Sequence, residues 1–256
     1  MKDTLRQILI LLSLLATLFV NGLANALPLN GQTTAEISDR FEVFFVPAGY
    51  VFSIWGLIYL GLMAFAIYQA LPAQRSNPRL QAIGGWVVLA NVANAAWIFL
   101  WHYEQFPLTL LAMLTLLLSL IAIYLKLGIG RQQVSLAERW LVHLPFRIYL
   151  GWITVATVAN VTDLLKYLDW DGFGISPELW FSLVLTAVLA IVIAVNLTRR
   201  DAVFTLVILW ALAGIAIKHN SVRAVVVPTW LTFALVSASM LLPSTGIGRV
   251  RLEKDV

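Results

Sequence analysis

Long apolar runs alternate with short clusters of charge along the whole chain. Eight apolar segments stand out, over about 7–28, 47–71, 83–101, 107–127, 144–164, 178–198, 202–217 and 223–242. The runs are about 16 to 25 residues long, and roughly 20 residues of helix cross a bilayer core. In hydrocarbon every backbone N–H and C=O must find its partner inside the segment, so such runs are helices. Pro47, Pro107, Pro145 and Pro177 sit at or near the first turn of a segment, where a missing N–H has no intrahelical bond to lose. Pro228 lies deeper in the last segment and is expected to kink it. The pattern predicts an all-α, polytopic membrane helix bundle of about eight transmembrane helices.

Composition agrees with that reading. Apolar residues make up 61% of the chain and charged residues 12%, against roughly 45–50% and 25% in ordinary soluble domains. The net charge of +4 is modest, and no basic stripe is interleaved with aromatics, so nucleic acid is excluded as an expected partner. The chain has no cysteine, which removes disulfides, thiolate metal sites and cysteine nucleophiles and leaves the redox compartment undetermined.

Charge placement predicts an orientation. With the N-terminus in the cytoplasm, the inside segments hold Lys2, Arg6, Arg75, Arg79, Lys126, Arg131, Arg139, Arg199, Arg200, Arg249, Arg251 and Lys254, and the outside loops hold Arg40, Lys166, Lys218 and Arg223. That asymmetry places both termini in the cytoplasm, with a bacterial inner membrane as the default location. Arg147, just inside the fifth helix, is expected to snorkel to the same surface. The first segment has a rival reading as a cleaved secretory signal ending at Ala24-Asn25-Ala26. Its apolar stretch of about 20 residues exceeds the usual 7–15, which favours a retained helix. The 28–46 and 165–177 connections are the longest on the outside and are expected to fold over the mouth of the bundle.

Chemistry inside a membrane is first sought among ionisable groups, because they are costly there. No Asp or Glu falls mid-helix; Asp163 and Glu178 lie at ends. His102, His143 and His219 are isolated near helix ends, read as interfacial, and no metal spacing exists. No catalytic residue, resident cofactor or metal is expected. Aromatic and amide residues at helical spacing are more informative. Phe52, Trp55, Tyr59 and Met63 share one face of the second helix; Asn94, Trp97 and Trp101 share one of the third, with Asn91 a turn earlier. Tyr149, Trp152, Ala156 and Asn160 repeat the pattern on the fifth. Gly56, Gly61, Ala93, Ala96 and Gly151 would let these helices approach closely. Such stripes suit a large, flat, mostly apolar ligand held by stacking and a few hydrogen bonds. They also suit ordinary packing, with each buried amide paired to another helix.

These residues resemble the TspO/MBR family, the tryptophan-rich sensory or translocator proteins. Pro47 followed by Trp55-Gly-Leu-Ile-Tyr59, then Asn94-Ala-Ala-Trp97, then Tyr149-Leu-Gly-Trp152 with Asn160, reproduce its motifs in order on the second, third and fifth helices. The family's paired prolines are reduced to Pro47 after Val46, and its fifth-helix proline is replaced by Ile148, with Pro145 a turn earlier. The motifs cover about residues 1–165, a five-helix bundle, and leave 166–256 as an additional three-helix region with a short cytoplasmic tail. Asn196, Trp210, Lys218 and Asn220 are the most polar or aromatic features of that region.

The resemblance implies a pocket binding porphyrins, sterols or related planar molecules. It also implies a proposed light-dependent porphyrin-degrading activity, for which Trp55 and Trp152 would be the positions. A cholesterol-type pattern occurs at Leu120, Tyr124 and Lys126. The expected ligand-binding set is Trp55, Tyr59, Asn94, Trp97, Trp101, Tyr149, Trp152 and Asn160. The leading expectation is a sensor or regulator of tetrapyrrole, sterol or isoprenoid-like ligands in the lipid bilayer. The alternatives are a transporter of such molecules and a light-dependent porphyrin-modifying enzyme. A homodimer is compatible with all three.

Overall fold

The computed structural model describes residues 3–27 and 29–243, apart from the Asn25 side chain. Lys2, Arg249, Arg251 and Lys254 of the charge pattern, and the tail from 244, lie outside the described residues. Eight principal helices follow one another: α1 (Asp3–Ala26), α2 (Ile54–Ala70), α3 (Pro78–His102), α4 (Phe106–Lys126), α5 (Leu144–Tyr167), α6 (Pro177–Arg199), α7 (Ala202–Lys218) and α8 (Arg223–Ser239). Among the described residues six helices are long and apolar enough to cross a membrane; α7 and α8, with 17 residues each, are shorter. The protein is a polytopic helical bundle.

Helix boundaries follow local chemistry. Pro78, Pro107 and Pro177 occupy the first turns of α3, α4 and α6. Asn77 caps α3 by accepting the N–H groups of Arg79 and Leu80, and Ser176 caps α6 through the N–H of Leu179. The start of α5 departs from the expected boundary. The helical path begins at Leu136 and runs through a π turn, Arg139–His143, into Leu144–Tyr167. Pro145 therefore lies inside a continuous helix. The wider turn, closed by the Leu144 N–H on the Arg139 carbonyl, relieves the clash that proline makes with the preceding turn. Pro145 also packs on Gly61, where a Cβ would come within 3.1 Å of the proline ring.

Helix α5 is the hub, touching α2, α4 and α7, while α1 lies along α3 and α2. Polar staples fix α1 in place. Thr17 donates to the Asn91 carbonyl at 2.9 Å, Asn91 donates to the Ser13 hydroxyl at 3.0 Å, and Gln7 donates to the Gln69 carbonyl at 2.7 Å. The last three helices dock through α7. At Gly151 a Cβ would sit 2.9 Å from Val207, so α5 and α7 cross where α5 has no side chain. Asn196 joins α6, α7 and α8 by donating to Ser239 at 2.8 Å and accepting from Thr205 at 2.9 Å.

Several expected orientations change. Met63 is 41% exposed, so the aromatic stripe of α2 ends at Tyr59. Leu120 and Tyr124 are buried, which turns the cholesterol-type pattern away from lipid. Arg147 does not reach out to the surface; its Nε pairs with Asp201 at 2.7 Å. His102 and His143 lie near helix ends but are buried within the protein.

Candidate functional site: an aromatic cavity under a pinned lid

Two adjoining compartments open at the end of the bundle where α1 finishes and α2 begins. The larger, about 380 Å³, lies between α1, α2 and α3 and is lined by Leu18, Asn21, Phe52, Trp55, Gly56, Tyr59 and Trp97 among others. The smaller, about 60 Å³, lies beside it among α2–α5 and is lined by Trp101, Met113, Trp152, Ala156, Asn160 and Asp163 among others. Phe52, Trp55, Trp97 and Thr34 border both.

The walls are built from ring pairs. Trp55 stacks on Tyr59 at 5.3 Å, and Trp97 stacks on Trp101 at 5.2 Å. Trp152 meets Trp55 edge to face at 6.3 Å and Phe52 at 5.6 Å. Gly56 has no atom within 4 Å of the position its Cβ would take, so it opens space in the larger compartment and is not a packing contact.

The roof is formed by residues 29–46, whose short helix Thr34–Asp39 is capped by Thr33 and Glu36 in a reciprocal box. The Glu36 carboxyl is held below its ordinary value because the Thr33 N–H and hydroxyl both bond its charged form. Trp101 Nε1 donates to the Thr34 carbonyl at 3.2 Å, and Asn30 donates to the His102 carbonyl at 3.0 Å. Ile37 plugs into an apolar nest with Trp101, Phe106 and Leu164. The rim adds Arg40–Glu104 and Lys218–Asp39 ion pairs, both 2.9 Å. The 165–177 connection folds differently: Trp180 Nε1 donates to the Gly172 carbonyl at 2.8 Å, holding that loop on the start of α6.

The expected residues thus divide into three groups. Trp55, Tyr59 and Trp97 line the larger compartment; Trp55, Trp97, Trp101, Trp152 and Asn160 line the smaller. Asn94 and Tyr149 line neither compartment. Asn21 donates to the Asn94 carbonyl oxygen at 2.8 Å, and Asn94 donates to the Tyr149 hydroxyl at 2.9 Å, a buried chain across α1, α3 and α5. Asn160 exchanges hydrogen bonds with Thr109 of α4, at 3.0 and 3.3 Å. Three of the amide and hydroxyl groups therefore join helices to one another.

Spacing on single helices did not reveal Asp163, which is 2% exposed and lines the smaller compartment. Its Oδ1 has no hydrogen-bond partner, and the same holds for Nε1 of Trp97 and of Trp152. Three unpaired polar atoms thus belong to residues around one small space, a condition that a buried site tolerates poorly unless something fills it.

Helix α7 braces the entrance from outside the motif-bearing bundle. Ala48 donates its N–H to the Gly214 carbonyl at 3.2 Å, and Trp210 Nε1 donates to the Val51 carbonyl at 3.1 Å. Those bonds fix the 3₁₀ turn Gly49–Ser53 that aims Phe52 and leads into Trp55. A family model described as TSPO-like protein matches residues 7–243. The chain belongs to the TSPO-like family. The match continues through α6, α7 and α8, and so includes the helix that braces the cavity entrance. No curated protein and no solved structure gives a match. Membership and the apolar helices together make this TSPO-like protein an integral membrane protein.

Proposed function

We propose that this TSPO-like protein binds a planar, largely apolar small molecule in the lidded aromatic cavity and acts as a sensor or regulator. One observation carries the reading: a 380 Å³ space walled by Trp55, Tyr59 and Trp97, within the range of about 300–1,000 Å³ usual for ligand pockets. Flat rings suit those walls because π-faces stack without needing hydrogen bonds. The unpaired Trp97, Trp152 and Asp163 atoms favour a ligand whose far end brings a hydrogen-bonding group into the smaller compartment. Tetrapyrroles, sterols and isoprenoid-like molecules all fit that description.

On this reading residues 1–165 carry the ligand, and 166–256 form an added region whose α7 stiffens the entrance. The basic end of the bundle faces the cytoplasm of a bacterial inner-membrane protein with both termini inside. A homodimer remains compatible with the fold. Quenching of tryptophan fluorescence by protoporphyrin IX in detergent tests the reading, comparing wild type with Trp55→Phe and Trp152→Phe. Saturable quenching that an unlabelled planar competitor reverses, weakened at least several-fold in both variants, is expected. Non-saturable quenching, equal in all three proteins, overturns the site. Accumulation in proteoliposomes would mark transport, and light-dependent loss of bound porphyrin would mark chemistry.

A further inference from the structure

The opposite end of the bundle holds a second cavity, of about 550 Å³ and different chemistry. It lies between the 127–135 connection, the start of α5 and the junction of α6 with α7. Arg139, Arg147, Arg199 and Arg200 all line it, together with His143. We propose that this cavity is a binding site for a phosphate-bearing anion.

The balance of partners carries the argument. Arg147 is neutralised by Asp201, whose carboxylate is wholly buried and also accepts the Tyr124 hydroxyl at 2.8 Å. Glu138, the nearby acid on the first turn, is taken by Arg79 at 3.0 Å. Arg199 donates to the Ile129 carbonyl at 3.2 Å and lies over the Tyr124 ring at 5.6 Å, and among the described residues its charge keeps no counter-ion. The side chains of Arg139 and Arg200 have no hydrogen bond or ion pair among the described residues. Three guanidinium charges with no counter-ion among the described residues therefore line one cavity.

Two further features belong to the same wall. His143 is 5% exposed and lines this cavity, with its Nε2 3.9 Å from Glu138 Oε1. Arg200 ends α6 in the left-handed region, φ +51°, a common helix-ending conformation in which its N–H donates to the Asn196 carbonyl. A surplus of basic residues at one face would satisfy membrane orientation if scattered over the loops. Convergence of arginines on one cavity instead raises their mutual repulsion, which an anion relieves. Guanidinium forks match phosphate oxygens in pairs, and basic pockets between membrane helices take phosphate head groups.

The phosphate would come from a soluble metabolite or from an anionic lipid, and the test separates the two. Full-length protein, delipidated in detergent, is titrated with pyrophosphate. In parallel it is placed in phosphatidylcholine nanodiscs containing a minor fraction of phosphatidic acid, and lipid retention is read by native mass spectrometry. The comparison variant combines Arg139→Gln with Arg200→Gly; both positions are exposed, and glycine suits the left-handed backbone. Circular dichroism confirms its fold. Saturable pyrophosphate binding that falls at least tenfold in the variant identifies a soluble anion. Selective phosphatidic acid retention lost in the variant, without pyrophosphate binding, identifies a head group. Absence of both, or equal binding by wild type and variant, overturns the proposal.

Discussion

The two ends of this bundle differ in what surrounds their cavities, aromatic rings at one and arginines at the other. At the lidded end, space is kept open by aromatic rings and by Gly56, and polar atoms of Trp97, Trp152 and Asp163 are left without partners. At the basic end, charges are gathered tightly and the buried Asp201 is saturated by Arg147, Tyr124 and the Phe204 N–H. The first arrangement accepts loss of internal bonding to leave room for a ligand. The second joins α4, α5 and α7 through one carboxylate. Stability and binding are thus expected to separate along the membrane normal, and substitutions at each end test that separation.

The largest effect is expected at Asp201. Asp201→Ala leaves the Arg147 charge partly buried without its partner and removes the cap of α7, a loss of about 3–5 kcal/mol. Unfolding in mixed detergent, followed by circular dichroism, would read it. Porphyrin affinity in the surviving folded fraction should change little.

A glycine pair gives the next contrast. Gly151→Ala places a methyl 2.9 Å from Val207 and 3.3 Å from the Phe204 carbonyl, an overpacking expected to cost about 1–3 kcal/mol and to loosen α7. Gly56→Ala meets open space, and its higher helix propensity would stabilise the fold by up to about 1 kcal/mol. Opposite signs in the same unfolding assay would sharpen the comparison; equal losses would break it.

That contrast also marks what the sequence made legible. The helical segments emerged from run length and proline placement, since nothing else satisfies the backbone in lipid. The tryptophans at the two compartments emerged from spacing on α2, α3 and α5. The direction of apolar residues did not. Gly56, Met63 and Leu120 were misplaced because a lipid-facing side and a protein-facing side are both apolar, so period alone cannot choose between them. Amide partners were equally hidden: Asn21 meets Asn94 across 73 residues, a relation that no local pattern encodes. The start of α5 was placed late because Glu138 and Arg139 interrupt the apolar run, and the partner of Glu138, Arg79, lies on α3. Of the polar or aromatic residues noted in the last three helices, Asn196, Trp210 and Lys218 became staples between segments.

The smallest expected effect is a pH dependence of the lid. Because the folded-state value of Glu36 is depressed, its cap is intact above the ordinary glutamate range and is lost as pH falls through the lowered value. Ligand release should therefore quicken in acid in the wild type. It should stay flat in Glu36→Gln, where the amide keeps the capping role at every pH. A release rate equally sensitive to acid in both proteins would assign the dependence elsewhere.

Filling the larger compartment tests the central claim most directly. Gly56→Leu adds a side chain where no atom now lies within 4 Å of the missing Cβ, so the fold should persist while the space between Trp55 and Trp97 shrinks. Titration of wild type and Gly56→Leu with protoporphyrin IX, with unfolding measured on the same samples, gives the comparison. The account predicts undiminished stability and at least a tenfold loss of saturable binding. Equal binding by a well-folded Gly56→Leu would contradict it.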